Sequence, residues 1–253
     1  MKIAIAQLYT NHFDEWAKIP IRNKQIYCDK HGYDLVTKRG LYKTDFGERH
    51  PSWHSILLIL ETLEKTNVDW VFWSDIDALI MDQTVKLESF IENRYDIIIP
   101  DQGRGEYCGI KSKSCLCCGH YFIKNTKWSK DFLRLLWRWP NEEFEKYKED
   151  SYWEQCGMNF LYRENAMNFE EHVKIEPNNR SFNSFYFMDS NHKPMEFSEW
   201  GESWFRTEKT KDLVKKLGTA YNEGDFIVHF AGKHCAPYRK SLMQEYSEKV
   251  KWN

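Results

Sequence analysis

The stretch Trp70-Val71-Phe72-Trp73-Ser74-Asp75-Ile76-Asp77-Ala78-Leu79-Ile80 decides the reading of this chain. Its four large apolar residues in a row form a run too short and too β-rich for a helix, and predict a buried strand. That strand runs straight into two carboxylates two positions apart. On an extended chain such positions point to the same side, about 6.5–7 Å apart. Two anions held there repel each other unless a cation or hydrogen-bond donors satisfy them. Hard oxygen ligands of this kind suit Mg²⁺ or Mn²⁺, which also bind diphosphate oxygens. The pair therefore reads as a metal-diphosphate site at a strand end, or as a solvated turn whose acids cap a following helix.

On either side of this stretch, short β-type runs alternate with helix-compatible ones. Strands are predicted at Ile3–Tyr9, Tyr33–Val36, Ile97–Pro100, His120–Lys124, His172–Glu176 and Phe226–Phe230. Helices are predicted at Phe13–His31 (stopped by Gly32), Trp53–Lys65, Val85–Asn93, Trp128–Trp139 and Tyr152–Tyr162. The alternation implies an α/β, Rossmann-like fold with a mostly parallel central sheet and helices on both faces. Ligands in such sheets sit beyond the carboxyl ends of the strands, where Asp75 and Asp77 fall. Prolines and glycines are scattered, so residues 1–253 read as one continuous domain.

The chain has 253 residues, with 36 Lys+Arg against 38 Asp+Glu, a formal net charge of −2. The near-neutral balance argues against a nucleic-acid binder, and an aromatic content of 16% argues against disorder. No apolar run reaches the ~18–20 residues of a membrane span, and the N-terminus reads as a strand rather than a signal peptide. A cytoplasmic setting with reduced thiols is the expectation for its seven cysteines, with a trimmed secretory or Golgi-type form as the alternative. Cys108, Cys115, Cys117 and Cys118 cluster, but their spacing is not a common zinc pattern, leaving buried or incidental thiols as the simpler reading.

Several blocks accompany the acid pair in a fixed order. Ahead of it lies Asn23-Lys24-x-x-Tyr27-Cys28-x-x-His31-Gly32-Tyr33. After it come Gly119-x-Tyr121-Phe122-Ile123-Lys124-Asn125, Trp153-Glu154-Gln155, Phe182-Asn183-Ser184-Phe185 and Gly224-Asp225-Phe226-Ile227-Val228-His229-Phe230-Ala231-Gly232. Over roughly residues 20–235 this series resembles glycosyltransferase family 34, the galactosyl/mannosyl/xylosyl-transferase family. The resemblance implies a GT-A fold, Mn²⁺ (or Mg²⁺), a nucleoside-diphosphate sugar donor, a glycan acceptor and transfer with retention. It implies metal ligation by Asp75, Asp77 and His229, with Asp75 also helping through the donor's ribose or metal-bound water. By the same likeness residues 1–100 form a nucleotide- and metal-binding half and 101–253 a donor-sugar and acceptor half, Asn23, Lys24 and Tyr27 belong near the nucleotide, Gly119 shapes the donor-sugar pocket, and Glu154 with Gln155 lies at the transferred sugar. Gly232, following the strand-like run to Phe230, is a residue type that lets backbone approach a ligand closely.

On the residues alone, His229 reads more readily as a hydrogen-bonded core histidine, Lys24 as a solvated lysine, Gln155 as a helix-surface amide, and Tyr121, Trp153, Phe182 and Phe185 as core aromatics rather than stacking platforms. Three departures from the family bear on donor or acceptor identity. Cys117 stands where Asn is usual, Ser55 where Lys is frequent, and Tyr152-Trp153 where His-Pro often precedes the acidic-amide pair. For retention, Glu154 is either a nucleophile or, with Gln155, a steering group for front-face attack. Two other classes share an acid pair after an apolar strand or the fold itself. One is a haloacid-dehalogenase-type phosphatase, whose pair usually lies nearer the N-terminus. The other is a non-catalytic sugar-nucleotide or glycan binder.

Overall fold

The computed structural model describes residues 1–44, 49–102, 106–107, 110–111, 114–138, 153–186 and 220–252. Strand β1 (Ile3–Tyr9) is buried over nearly its whole length, as a central parallel strand must be when both its faces are covered. It pairs in parallel with β2 (Asp34–Arg39) on one side and with β3 (Trp70–Ser74) on the other. The sheet holding them is completed by β5 (Ile97–Pro100), β8 (His120–Lys124) and β9 (Val173–Glu176), in the order β2-β1-β3-β8-β5-β9. Only β8 runs against the others in this sheet, antiparallel to both β3 and β5. A smaller sheet, β10-β11-β4, combines β4 (Ala78–Ile80), β10 (Ser184–Phe185) and β11 (Ile227–His229). Two two-residue strands, β6 (Glu106–Tyr107) and β7 (Ile110–Lys111), pair with each other.

Alternation along β3 sorts its side chains onto two faces. Val71 and Trp73 join Ala4, Ala6, Tyr121 and Ile123 beneath α2 (His54–Lys65), α3 (Lys127–Arg138) and α4 (Trp153–Arg163). Trp70 and Phe72 join Ile3, Ile5 and Phe122 beneath α1 (Asp14–His31), with Tyr27 inserted from the helix. The helix α1 stops where predicted because Gly32 adopts φ +73 and its N–H caps Cys28 O at 2.8 Å. A one-turn α5 (Phe169–His172) and a short α6 (Gly232–Cys235) precede the C-terminal α7 (Arg239–Ser247). Leu242, Met243 and Tyr246 of α7 pack with Trp16, Leu79, Val228 and Phe230 in a third cluster.

One predicted element is corrected. Val85–Asn93 is not a helix but a single 3-10 turn, Leu87–Phe90. The backbone there is committed elsewhere: Val85 O accepts from Tyr27 Oη at 2.6 Å and Leu87 N donates to Tyr33 Oη at 3.1 Å. Trp139, Tyr152 and Cys108 lie outside the described residues. Cys28, Cys115, Cys117, Cys118 and Cys235 are buried, but Cys156 is disulfide-bonded, against the expectation of reduced cysteines throughout. Among the described residues no helix is long and apolar enough to cross a membrane.

Candidate active site

The segment Asp75-Ile76-Asp77 carries the chain from the end of β3 in the large sheet to β4 in the small one. On the β3 side, Ser74 pairs with His120, and Asp75 N donates to Gly119 O at 2.9 Å, so the ladder with β8 runs one residue further. On the β4 side, β11 lies antiparallel with His229 opposite Ala78, and Phe230 N donates to Asp77 O at 2.8 Å. Two pairings thus close a sequence separation of 152 residues. His229 Nε2 stands 3.2 Å from Asp77 Oδ1 and 3.6 Å from Asp75 Oδ2. One ligand atom from each of the three lies within 4.8 Å of the others, the only such metal-competent group of His, Cys, Asp or Glu among the described residues. Gly119 makes the approach possible. A Cβ there would sit 2.5 Å from His229 Cε1, 3.0 Å from its Nδ1 and 3.4 Å from Asp75 Oδ2.

The electrostatics follow from burial and neighbours. Burial, then Asp77 and Glu154, push the Asp75 carboxyl well above the usual range, despite a hydrogen bond from Trp73 Nε1 at 3.0 Å. Burial would also raise Asp77, but Arg239 (3.0 Å) and His229 outweigh it and hold that carboxyl below the usual range. Burial raises Glu154 to about 7, partly opposed by its hydrogen bond from Ser52. Asp75, Asp77, Glu154, Ser52, His50 and Arg239 border one cavity of about 170 Å³, with Tyr9, Phe13 and Trp16 on its apolar side.

Other sequence-predicted residues lie one layer behind this cavity. Asn23 pairs with β4 as a strand would, accepting from Ile80 N at 2.8 Å and donating to Ile80 O at 3.0 Å. Lys24 is fully buried, and its Nζ donates to Gln7 Oε1 (3.0 Å), Asp75 O (2.7 Å) and Ser74 O (3.4 Å). Burial lowers its ammonium to about 7, with Asp75 and Asp77 pulling the other way. Together with Tyr27 Oη on Val85 O, these three side chains of α1 brace the backbone that carries the acids. Gln155 Oε1 accepts from Cys118 N at 2.9 Å, and Asn159 one turn later exchanges bonds with the Leu116 backbone. The pair docks α4 onto the segment leading to Gly119. Gly232, at φ +83, turns the chain after β11. Tyr121 and Phe182 are core residues, Phe185 stacks on His229 at 5.4 Å, and Cys117 accepts from Asn183 Nδ2 at 3.0 Å. The Trp153 side chain lies outside the described structure. The site takes residues from both predicted halves of the chain.

This geometry can be set beside known proteins. A family model described as the galactosyl transferase GMA12/MNN10 family matches residues 3–97 and 107–241. The chain belongs to that family. Among curated relatives, a probable α-1,6-mannosyltransferase, MNN10, of Saccharomyces cerevisiae is 27% identical over 228 residues, covering 80% of this chain and 56% of the relative. An uncharacterised α-1,2-galactosyltransferase of Schizosaccharomyces pombe is 26% identical over 183 residues, 58% of this chain and 53% of the relative. This chain therefore spans about half the length of these relatives. A glycosyltransferase involved in glycosylation of the PBCV-1 major capsid superposes with a TM-score of 0.62 at 15% identity, covering 97% of this chain and 100% of that one. The galactosyltransferase LgtC, solved with donor and acceptor sugar analogues, gives 0.54 at 13% identity, with 98% and 96% covered. The fold is GT-A.

In this member of the family the structure adds residues to which sequence reasoning gave no role. Arg239 donates to Phe230 O (2.9 Å) and Gly232 O (3.1 Å) while its Nη2 faces Asp77. It lies beyond the last quoted block, Gly224–Gly232, and carries no local signal except its charge. His50 caps the 3-10 turn Pro51–Trp53 before α2, in which Ser52 Oγ links His50 Nδ1 (3.0 Å) to Glu154. Asn183, inside a quoted block, accepts from both His120 Nδ1 and His229 Nδ1 at 2.9 Å.

Proposed function

We propose that this chain transfers a glycosyl group from a nucleoside-diphosphate sugar to a hydroxyl of a glycan, with retention of configuration and with a divalent cation. The observation that carries this reading is the Asp75–Asp77–His229 group, whose two acids border the cavity, in a glycosyltransferase family member. Two carboxylate oxygens and one imidazole nitrogen form a donor set that suits Mn²⁺ or Mg²⁺. Gly119 supports the fit, because the space beside His229 and Asp75 exists only without a side chain at that position. A cation held by these three residues supplies Lewis-acid stabilisation of the departing diphosphate.

The chain's own groups do the rest. Arg239 fixes one oxygen of Asp77 and anchors the turn after β11, which leaves the other oxygen toward His229. Glu154 presents a carboxyl group to the cavity, and its ionised form stabilises positive charge developing at the anomeric carbon. Gln155 holds the Cys118 backbone next to Gly119 through its Oε1. Relatives named galactosyl- and mannosyltransferases favour a hexose donor over a pentose. Family membership displaces the phosphatase reading, in which Asp75 would be a nucleophile. The Cys156 disulfide favours an oxidising compartment over the cytoplasm.

The test is a thermal-shift and hydrolysis screen of uridine and guanosine diphosphate hexoses with and without Mn²⁺, on the wild type and Asp77→Asn. Cation-dependent stabilisation and turnover are expected in the wild type and are lost in the variant. Turnover in Asp77→Asn at the wild-type rate would refute the assignment.

A further inference from the structure

We propose that Asn183, oriented by Asn179, is the positioning residue that dictates which ring nitrogen of His229 faces Asp75 and Asp77. The purpose of this device rests on the cation reading above, but the tautomer it imposes does not. The argument starts from a backbone group. Asn179 Nδ2 donates to Asn183 O, so the side-chain oxygen of Asn179 is the atom turned toward the Asn183 amide. Asn183 Nδ2 donates to that oxygen at 3.0 Å and to Cys117 Sγ at 3.0 Å. A flipped Asn183 amide would set two oxygens against each other at that distance. Asn183 Oδ1 therefore faces the two imidazoles, meeting His229 Nδ1 and His120 Nδ1 at 2.9 Å each.

An amide oxygen only accepts, so both Nδ1 atoms carry hydrogen. That leaves His229 Nε2 as the ring atom facing Asp77 Oδ1 and Asp75 Oδ2, where a cation takes the place of a proton. No water competes for the bond: Asn179 and Asn183 are 1% and 0% exposed, and His229 and His120 are 3% and 0%. His120, edge-on to His229 at 4.9 Å, shows the same signature from the other side. Among the described residues its buried Nε2 has no hydrogen-bond partner, which fits a bare lone pair there and the ring hydrogen on Nδ1, because an N–H in that position would be left without an acceptor. The spacing of four residues also lets the main chain lock the pair, with Asn183 N donating to Asn179 O at 2.9 Å. Outer partners of a metal-binding histidine commonly set its tautomer and ring orientation in this way.

The test uses the full chain with Mn²⁺ alone as probe, alongside nitrogen-15 NMR of the metal-free protein at alkaline pH, with His229→Gln to assign the signal. The wild type is expected to show hydrogen on His229 Nδ1. Asn183→Leu should move hydrogen to Nε2 and weaken Mn²⁺ binding by about 10- to 100-fold, while the thermal transition stays cooperative. Asn179→Leu, which frees the amide to flip, should act in the same direction with a smaller loss. Hydrogen on Nε2 in the wild type would overturn the proposal, and so would Asn183→Leu with its Nδ1 hydrogen and Mn²⁺ affinity unchanged. If Asn183→Leu does not fold, the wild-type spectrum and Asn179→Leu still decide. A wild type with the expected tautomer but no Mn²⁺ binding would sink the cation reading and leave the positioning role standing.

Discussion

Replacing Gly119 by alanine tests the site's tightest contact. The added Cβ lands 2.5 Å from His229 Cε1, whereas carbon atoms in contact settle at about 3.5–4.0 Å, so something must move by about 1 Å. The obstacle is a ring, and the ring is held. Its Nδ1 is bonded to Asn183, Phe185 stacks on it, and His120 meets it edge-on. The backbone at 119 is fixed as well, by the bond from Asp75 N. Overpacking of this kind costs about 1–3 kcal/mol, which for a chain of this size lowers the melting temperature by roughly 2–4 °C per kcal/mol. The larger consequence falls on function, because a metal–nitrogen bond of about 2.0–2.2 Å cannot absorb a displacement of about 1 Å. Gly119→Ala should therefore stay folded, melt a few degrees lower and lose at least about tenfold in Mn²⁺ affinity by titration calorimetry. A variant that binds Mn²⁺ as tightly as the wild type would show that His229 is not a ligand, or that the cradle is not tight.

The remaining tests follow from the charges around the cavity. If ionised Glu154 serves the reaction, turnover should rise with pH through about 7 and level off above it; Glu154→Gln should lose that limb along with most activity, and an unchanged pH profile in the variant would remove Glu154 from the chemistry. Arg239→Gln breaks a largely buried ion pair with Asp77, and should cost about 3–5 kcal/mol in urea unfolding without cation and less with saturating Mn²⁺, which offsets the exposed charge; equal losses would refute the coupling. Lys24 titrates near 7 when folded and near 10.4 when unfolded, so between these values the unfolded chain holds more protons and stability from this group rises with pH. Urea midpoints at pH 7, 8 and 9 should show that rise in the wild type and lose it in Lys24→Met, which should also be less stable by roughly 1–3 kcal/mol for each buried acceptor left unpaired.

The periodicity of apolar residues made most of the fold legible. The run Trp70–Trp73 is buried on both faces as read, and α1 ends at Gly32 because only a positive φ completes its cap. Val85–Asn93 misled for a physical reason: its helical spacing was outweighed by side-chain hydroxyls of Tyr27 and Tyr33 that claim its backbone. The site was legible in kind but not in layout. Asn23 and Lys24 looked like ligand-facing residues because they lie in a matched block, whereas both point inward to brace the Asp75–Ile80 backbone.

By itself, the sequence determined most of the longer strands and helices and where two acids leave a buried strand, because those properties depend on side chains a few positions apart. Tertiary structure alone decided that β11 lies beside β4, and hence that His229 faces Asp77 across 152 residues, with Arg239 on one flank and Asn183 behind. Hydrogen-bond polarity, ring tautomer and the space that admits no side chain at Gly119 arise only when distant segments touch, and no local pattern encodes such contacts.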